Sequence, residues 1–318
     1  MFQFLKGKYE DAEALCRRAM EITEKILGKD HPDYSIYLHN LARLLEKQGK
    51  YEAAGPLYGR AIEITRATLG KDHPNNSIIL NSVAGLLEKQ GKYEDAERMY
   101  RHALVLTEAI LGKEHPEYSV GLDGVAGLLK KRGRYEDAEP LFICAMEMTE
   151  VTVGKHHLDH AIRLNNLAGL LLAKGNYEDA EPLCRRAIEI MEGTVGKEHP
   201  DYAISLHNLA TLLGKKGRYK DAEPLYRRAM EITEATLGKE HPEYSNSLDG
   251  LAGLLRDKGK YWEAEPLYRR AMEITEAFLG KDHPEFSIRL HNMAGLLEKQ
   301  GKYEDAEPLQ RRVIEIME

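Results

Sequence analysis

The residues of this chain with the widest chemical range are its thirteen histidines, because imidazole binds transition metals and transfers protons near neutral pH. Seven of them recur at one position of a 42-residue repeat and are His31, His73, His115, His157, His199, His241 and His283. They are too far apart along a repeating chain to share an ion. Only His156, His157 and His160 cluster, and a four-residue spacing on a helix can present two zinc ligands. The proline that follows the other six recurrent histidines is lost there, so we favour divergence of this loop and predict no metal site.

Catalytic motifs are also missing from the sequence. It contains no glycine-rich phosphate loop, no nucleophile in a strand-to-helix elbow and no metal-ligand pair with an adjacent base. Acidic residues outnumber basic ones, 52 to 45, and both signs are mixed along the chain, so no basic surface for nucleic acid is expected. We therefore predict a protein that is not an enzyme, needs no cofactor and binds no nucleic acid.

Three observations concern the compartment. The longest apolar runs, such as the one from Leu167 to Ala173, are far shorter than the roughly 20 residues that cross a bilayer. Met1 is followed by repeat sequence and not by a charged and then apolar leader. The cysteines Cys16, Cys144 and Cys184 are odd in number and stand where other copies have tyrosine, phenylalanine or arginine, which argues against disulfides. We expect a cytoplasmic protein without membrane contact.

A tyrosine that recurs every 42 residues without insertion defines the organisation of the chain. Its positions are Tyr9, Tyr51, Tyr93, Tyr135, Tyr177, Tyr219, Tyr261 and Tyr303. The count corresponds to seven and a half units. One unit has too few apolar side chains to offset the conformational entropy lost on folding, so each unit must stack on its neighbours. We predict one elongated domain over residues 1–318, and a fragment of a longer array.

Each unit contains two apolar stripes with helical spacing. The first consists of Leu38, Leu41, Ala42 and Leu45, and the second of Ala54, Leu57, Tyr58, Ala61 and Ile64. The first helix is expected to begin at His31-Pro32 and to end at Gly49, because proline suits a first helical position and glycine a left-handed cap. The second helix is expected to end at Gly70. Prolines are expected in its opening turn, at Pro56, Pro140, Pro182, Pro224, Pro266 and Pro308. The fold class is therefore all-α, and the loop that lost its proline should be the least regular.

The order of the recurring leucine, alanine, glycine and tyrosine residues within a unit resembles the tetratricopeptide repeat. From the fifth unit the resemblance is carried by Leu206, Leu209, Ala210, Leu213, Gly217, Tyr219, Ala222, Tyr226 and Ala229. The eight residues beyond a 34-residue unit extend the second helix and form a Leu-Gly-Lys-Glu-His-Pro loop. In this longer form the chain is similar to the repeats of kinesin light chains and of nephrocystin-like proteins. The resemblance implies a right-handed superhelical solenoid of antiparallel helix pairs.

The same resemblance implies a concave groove lined by the first helices, where a pair of polar residues faces a bound peptide. By position these pairs are His39-Asn40, Asn81-Ser82, Asp123-Gly124, Asn165-Asn166, His207-Asn208, Asp249-Gly250 and His291-Asn292. Asparagine can donate to and accept from a peptide backbone. The double asparagine of the family remains only at Asn165-Asn166, so the peptide preference of kinesin light chains does not transfer directly.

Basic residues one turn further along the first helices should reach the same groove. They are Arg43, Lys47, Lys89, Lys130, Lys131, Lys215 and Arg256, interleaved with Glu46, Glu88, Asp257 and Glu298. One interpretation is a solvated face of mixed charge. The sharper hypothesis is that Lys130, Lys131 and Lys215 favour an acidic peptide through long-range attraction.

The function predicted from these features is a non-enzymatic adaptor that binds an extended peptide or a short helix in its concave groove, with a protein as partner. The alternative is a structural or regulatory segment of a larger signalling protein, which packs on a neighbouring domain or self-associates. A monomer in solution would favour peptide binding. Trp262, the single tryptophan, is expected at the surface, where it could anchor a partner.

Overall fold

The computed structural model describes residues 9–317, and the side chains of residues 11–317. That part of the chain contains fifteen α-helices and no strand. The helices of the first half are α1 (Tyr9–Leu27), α2 (Pro32–Lys47), α3 (Tyr51–Leu69), α4 (Pro74–Lys89), α5 (Tyr93–Leu111), α6 (Pro116–Lys131), α7 (Tyr135–Thr152) and α8 (Leu158–Lys174). Those of the second half are α9 (Tyr177–Thr194), α10 (Pro200–Lys215), α11 (Tyr219–Leu237), α12 (Pro242–Asp257), α13 (Tyr261–Leu279), α14 (Pro284–Lys299) and α15 (Tyr303–Met317). The even-numbered helices are the first helices of the repeats.

The recurrent histidines are the N-caps of the first helices. The backbone N–H of Asp33 donates to Nδ1 of His31 over 3.2 Å, and Pro32 occupies the first helical position. The same arrangement recurs in α4, α6, α10, α12 and α14. The loop before α8 was expected to be irregular, but His157 accepts from the N–H of Asp159 over the same 3.2 Å. The cap is therefore made by the histidine and does not need the proline, and that expectation was wrong.

The second helices begin earlier than expected. Helix α3 starts at Tyr51, directly after Lys50, so Pro56 is its sixth residue and lies inside the helix. The expectation of an opening-turn proline is therefore wrong by about one turn. The missing N–H of Pro56 would have bonded the carbonyl of Glu52, a residue of the first turn that is exposed to solvent. The prediction that the helices end at glycines is confirmed. Gly49, which follows α2, has a φ of 72°, a left-handed conformation that favours glycine.

The core lies between the first and second helices of each repeat. Around α2 and α3 it is built from Leu41, Ala42, Leu45, Ala54 and Tyr58, all buried. Alanine is fully buried at every close approach of the helices, because a larger side chain would push the two backbones apart. This packing repeats through the described residues and confirms an all-α helical repeat fold.

The helices form two compact units, residues 1–170 and residues 171–318. In the first unit α2 packs on α3, α4 on α5 and α6 on α7, and the second helices α1, α3 and α5 also contact the first helices that follow them, α2, α4 and α6. In the second unit α10, α12 and α14 pack in the same way on α11, α13 and α15. The single domain and the right-handed superhelix stay predictions. None of the helices between residues 9 and 317 is long and apolar enough to span a bilayer.

Candidate binding groove

The first helices share a face whose residues are exposed or half-buried. In α2 this face carries Ile36, Asn40, Arg43 and Lys47, at i, i+4, i+7 and i+11. We call the corresponding residues of all first helices the groove face. In most copies the first position is aliphatic, the second is asparagine or glycine and the fourth is basic. The exceptions are Asn246 at the first position, Ser82 at the second, and Ala173 and Asp257 at the fourth. A ligand lying across the helices would therefore meet three kinds of surface side by side.

The two members of each predicted polar pair have different surroundings. The second members, Asn40, Ser82, Gly124, Asn166, Asn208, Gly250 and Asn292, are half-buried on the groove face. Among the first members, His39, Asn81 and Asn165 are buried, and Asp123, His207 and Asp249 are half-buried. His291, in α14, is exposed. The sequence did not distinguish the two members, because both were polar and adjacent. A helix turns by about 100° per residue, so the first member faces the neighbouring repeat.

In the first unit a buried ion pair joins α6 to α8. Nη1 of Arg163 donates to Oδ2 of Asp123 over 2.9 Å, and the side-chain amide of Asn166 donates to the same oxygen over 2.7 Å. Burial raises the pKa of the Asp123 carboxyl, while Arg163 and Asn166 act to lower it. Two residues predicted to meet a peptide, Asp123 and Asn166, thus bond each other across the repeats.

The second unit repeats this arrangement between α12 and α14. Nη1 of Arg289 lies 3.2 Å from Oδ2 of Asp249, and the amide of Asn292 donates to that oxygen over 2.8 Å. Burial also raises the pKa of Asp249. Neither arginine was predicted as a site residue, because their repeat position holds Tyr37, Ile79, Gly121, Ser205 and Ser247 in the other copies. The only available signal was that each arginine follows an Asp-Gly pair by one repeat.

The glycines of the two Asp-Gly pairs lie against tyrosine rings. A Cβ atom on Gly124 would be 2.3 Å from Cε1 of Tyr100, and one on Gly250 would be 2.5 Å from Cε1 of Tyr226. Atoms that are not bonded cannot approach so closely, so the rings must move before any side chain fits. Glycine therefore stands at these two positions for packing.

Two histidines of the pairs are held neutral. Nε2 of His39 lies 2.9 Å from Oγ of Ser82, and burial together with the nearby Arg43 lowers the pKa of His39 to about 4. His207 makes an edge contact with the ring of Tyr226, and burial lowers its pKa to about 4 as well. Within residues 9–317, Nδ1 of His207 is buried without a hydrogen-bond partner. Both imidazoles therefore act as uncharged polar groups at neutral pH.

The basic residues of the groove face differ in their pairing, as do Lys130 and Arg256, which stand beside it at the repeat position of Glu46. Lys131 lies 3.2 Å from Glu88, Lys89 lies 4.0 Å from Glu46, and Arg256 lies 3.0 Å from Asp257. By contrast, Arg43, Lys130 and Lys215 make no ion pair with any described residue. Burial and the neighbouring Lys131 lower the pKa of Lys130. Lys299 of α14 likewise has no ion pair among the described residues, while Asp123 and Glu88 act to raise the pKa of Lys130 from a longer distance.

A cavity of about 450 Å³ lies between α10, α12 and α14 in the second unit. It forms because Gly214 stands where the other first helices carry Glu46, Glu88, Lys130, Leu172, Arg256 or Glu298. In the first unit the hydroxyl of Tyr58 donates to Glu46 over 2.9 Å, but the hydroxyl of Tyr226 lies 2.8 Å from Thr211 instead. The missing side chain leaves a space lined by Asn208, Lys215 and the glycines of α12. Its volume is within the usual range for a ligand pocket.

Two further residues of the sequence analysis lie outside the groove face. No group of three metal-ligating side chains occurs in the described ranges, and Nδ1 of His160 lies 3.3 Å from the hydroxyl of Thr149. Trp262 is 79% exposed at the start of α13, with Nζ of Lys302 at 5.2 Å from the ring centroid. Its surface position is confirmed, and a role as an anchor stays a prediction.

Stacked helix pairs with a shared exposed face define a helical-repeat fold that typically serves protein interaction and not catalysis. The family model for the tetratricopeptide repeat matches residues 1–67, 42–109, 76–150, 119–181, 159–235, 208–277 and 251–318. These matches cover the chain from end to end, and the protein belongs to the tetratricopeptide repeat family.

Solved structures with the same fold include kinesin light chain-like proteins, which confirms the resemblance inferred from the sequence. A putative kinesin light chain of Podosopora anserina with nearly identical repeats is 23% identical, covers 64% of this chain and 97% of its own, and has a TM-score of 0.50. BtubC (BKLC) from P. vanneervenii is 22% identical over 72% of this chain and 92% of its own, with a TM-score of 0.56.

A Rap protein complexed with competence and sporulation factor covers 96% of this chain and 85% of its own, at 16% identity and a TM-score of 0.69. At such low identities these likenesses concern the fold alone. A search of curated proteins found no match.

Proposed function

We propose that this protein is a non-enzymatic, cytoplasmic interaction module whose groove face binds an extended peptide or a short helix of a partner protein. The observation that carries the proposal is the composition of that face. On it and beside it lie cations with no carboxylate within ion-pair distance in the described structure, and a cavity of about 450 Å³. A ligand that covers such cations and fills such a cavity gains contacts that the packing of the described helices does not already make.

An acidic segment fits the groove face best. Arg43 and Lys130 in the first unit and Lys215 in the second have no carboxylate within ion-pair distance in the described structure. Lys130 is half-buried and has already lost part of its hydration in the folded protein, so an approaching carboxylate removes less water from it than from a fully exposed lysine. The three free cysteines, Cys16, Cys144 and Cys184, suit a reducing compartment, which supports the cytoplasmic assignment.

The test is the affinity of the intact chain for a library of acidic peptides, measured by fluorescence polarisation. Reversal of Lys130 and Lys131 to glutamate should weaken the best ligand at least tenfold, because two attractive charges become repulsive. Lys71→Glu is the matched control, since Lys71 is an exposed loop lysine without an ion pair among the described residues. Unchanged affinity after the double reversal would exclude the acidic preference.

A second candidate function is that of a packing or self-associating segment of a larger signalling protein. It is favoured by exposed apolar side chains on the outermost described helices, Leu15 and Ile26 on α1 and Ile314 and Met317 on α15. Such side chains are common where another protein surface covers them. Native mass spectrometry distinguishes the candidates, because oligomers that grow with concentration favour packing and a monomer favours peptide binding.

A further inference from the structure

The groove face of the first unit has an apolar edge, formed by residues one turn before the polar pairs. One turn before each polar pair stands a β-branched residue, and in this unit the residues are Ile36, Ile78, Val120 and Ile162. Ile36 is 44% exposed and Val120 is 39% exposed, while Ile78 and Ile162 are half-buried. We call these four residues the aliphatic ladder. They occur once per repeat, on consecutive first helices.

A small cavity lies within the ladder. It has a volume of about 190 Å³ and is lined by Ser35, Ile36, His39, Asn75, Ile78 and Ile79. Its walls therefore include two neighbouring members of the ladder, and its polar lining includes the imidazole of His39. Because that imidazole is neutral at pH 7, with a pKa of about 4, the cavity offers no charge to a ligand. A space of this size accepts one apolar side chain and is smaller than a typical small-molecule pocket.

The cations of the same unit lie on the other side of the groove face. Arg43 follows Ile36 by seven residues in α2, which corresponds to about 10 Å along the helix axis. In α6, Lys130 follows Val120 by ten residues, which corresponds to about 15 Å along the helix axis. A segment that crosses the helices thus has aliphatic side chains on one side and uncompensated positive charge on the other. Charge complementarity selects a partner segment with one apolar side and one acidic side.

The distance between helices sets the spacing of the apolar residues in that partner. Packed helices lie about 8 to 10 Å apart, and direct contact between His39 and Ser82 shows that α2 and α4 are packed neighbours. A polyproline II segment rises about 3.1 Å per residue with three residues per turn, so every third side chain points the same way after about 9 Å. A β-strand would instead present every second side chain, after about 7 Å.

We propose that the first unit binds an acidic partner segment in an extended, polyproline II-like conformation, with an aliphatic residue at every third position seated on the ladder. One of these residues enters the cavity between Ile36 and Ile78, and the carboxylates face Arg43 and Lys130. The inference rests on the proposed function, to which it adds the register and the orientation of the ligand. In the second unit the ladder is interrupted, because Asn246 stands between Ile204 and Ile288 and accepts a hydrogen bond from Arg289.

The test compares two acidic peptides of identical composition, one with isoleucine at every third position and one with isoleucine at every second position. Calorimetry with the intact chain should show the first peptide binding about tenfold more tightly. Ile36→Thr and Val120→Thr should each weaken it about fivefold to tenfold, because each removes an apolar contact of about one methyl group or more. Val105→Thr is the matched control, since Val105 is 64% exposed on α5, away from the groove face, and its replacement should change nothing.

The outcomes separate the inference from the proposed function. Equal affinity for both peptides, or ladder variants that bind as well as the unmodified protein, would overturn the inference and leave peptide binding intact. Binding of neither peptide would refute both. Circular dichroism confirms folding of each variant. If Ile36→Thr does not fold, Ile36→Val shortens the same side chain without adding a polar group, and it should still weaken the every-third peptide measurably.

Discussion

Two glycines of helix α6 differ in what surrounds them, and their replacement by alanine should have opposite effects. Gly124 lies against Tyr100, where an added Cβ would be 2.3 Å from Cε1, 2.6 Å from Cδ1 and 2.9 Å from Cζ. Gly127, one turn later in the same helix, has no heavy atom within 4 Å of that position. Both residues are half-buried and helical. The pair therefore separates helix propensity from packing within a single helix.

The expected magnitudes follow from two opposing contributions. Alanine stabilises a helix interior by about 0.5 to 1 kcal/mol relative to glycine, and this gain applies to both positions. At Gly124 the ring of Tyr100 must also move, although it is buried and its hydroxyl donates to Glu88 over 3.1 Å. Overpacking of this kind costs about 1 to 3 kcal/mol. Gly127→Ala should thus stabilise the protein, while Gly124→Ala should destabilise it by about 1 kcal/mol.

Thermal unfolding followed by circular dichroism is a suitable assay, with midpoints compared because repeat arrays need not unfold in one step. A change of 1 kcal/mol in the free energy of unfolding shifts the midpoint by about 2 to 4 °C in proteins of 150 to 250 residues. In a Tyr100→Leu background the penalty of Gly124→Ala should shrink, because the obstructing ring is gone. If Gly124→Ala raised the midpoint as much as Gly127→Ala does, the steric account of the Asp-Gly pair would be refuted.

Two further predictions concern acid stability and the large cavity. The pKa of His39 is about 4 in the folded protein and about 6.5 in the unfolded chain, so the unfolded chain takes up the proton first as the pH falls. The free energy of unfolding should therefore decrease between pH 6.5 and 4, by about 3 kcal/mol in all. In His39→Gln the unfolding midpoint should depend less on pH over this range, and an unchanged dependence would contradict the buried neutral imidazole. Gly214→Glu should fill the cavity and place a carboxylate near the hydroxyl of Tyr226, as Glu46 is placed near Tyr58. The unfolding midpoint should rise, and any peptide binding centred on α12 should be lost. If a calorimetric titration with the peptide is unaffected by the substitution, ligands do not use this cavity.

The repeat architecture could be predicted from sequence because its causes are local. The period of the tyrosines, the helical spacing of leucine and alanine, and the histidine and glycine caps each act within one unit and recur unchanged. The place of Pro56 inside its helix was harder to predict, because a proline in the second turn removes a backbone hydrogen bond. It is tolerated here because the carbonyl that loses its partner belongs to Glu52, which is exposed to solvent.

The groove face could be predicted only in part. Adjacent polar residues look alike in a sequence, and only the contact between neighbouring repeats shows that Asp123 pairs with Arg163 across forty residues. The aliphatic ladder was concealed for a different reason. Its residues have the same type as core residues, and a β-branched apolar residue on an amphipathic helix is expected to be buried unless the position of the partner helix is known.

The two buried ion pairs restrict which repeats can be neighbours in the array. Asp123 and Asp249 are separated by three repeats, as are their partners Arg163 and Arg289. Loss of the single repeat that supplies Arg163 would bring Ser205 opposite Asp123 and leave a buried carboxylate without a guanidinium, although every backbone contact could re-form. Loss of the repeat that contains Ser205, which supplies neither partner, would leave both pairs intact. The copies are therefore not freely interchangeable, because a repeat with the buried aspartate must be followed directly by one with the arginine.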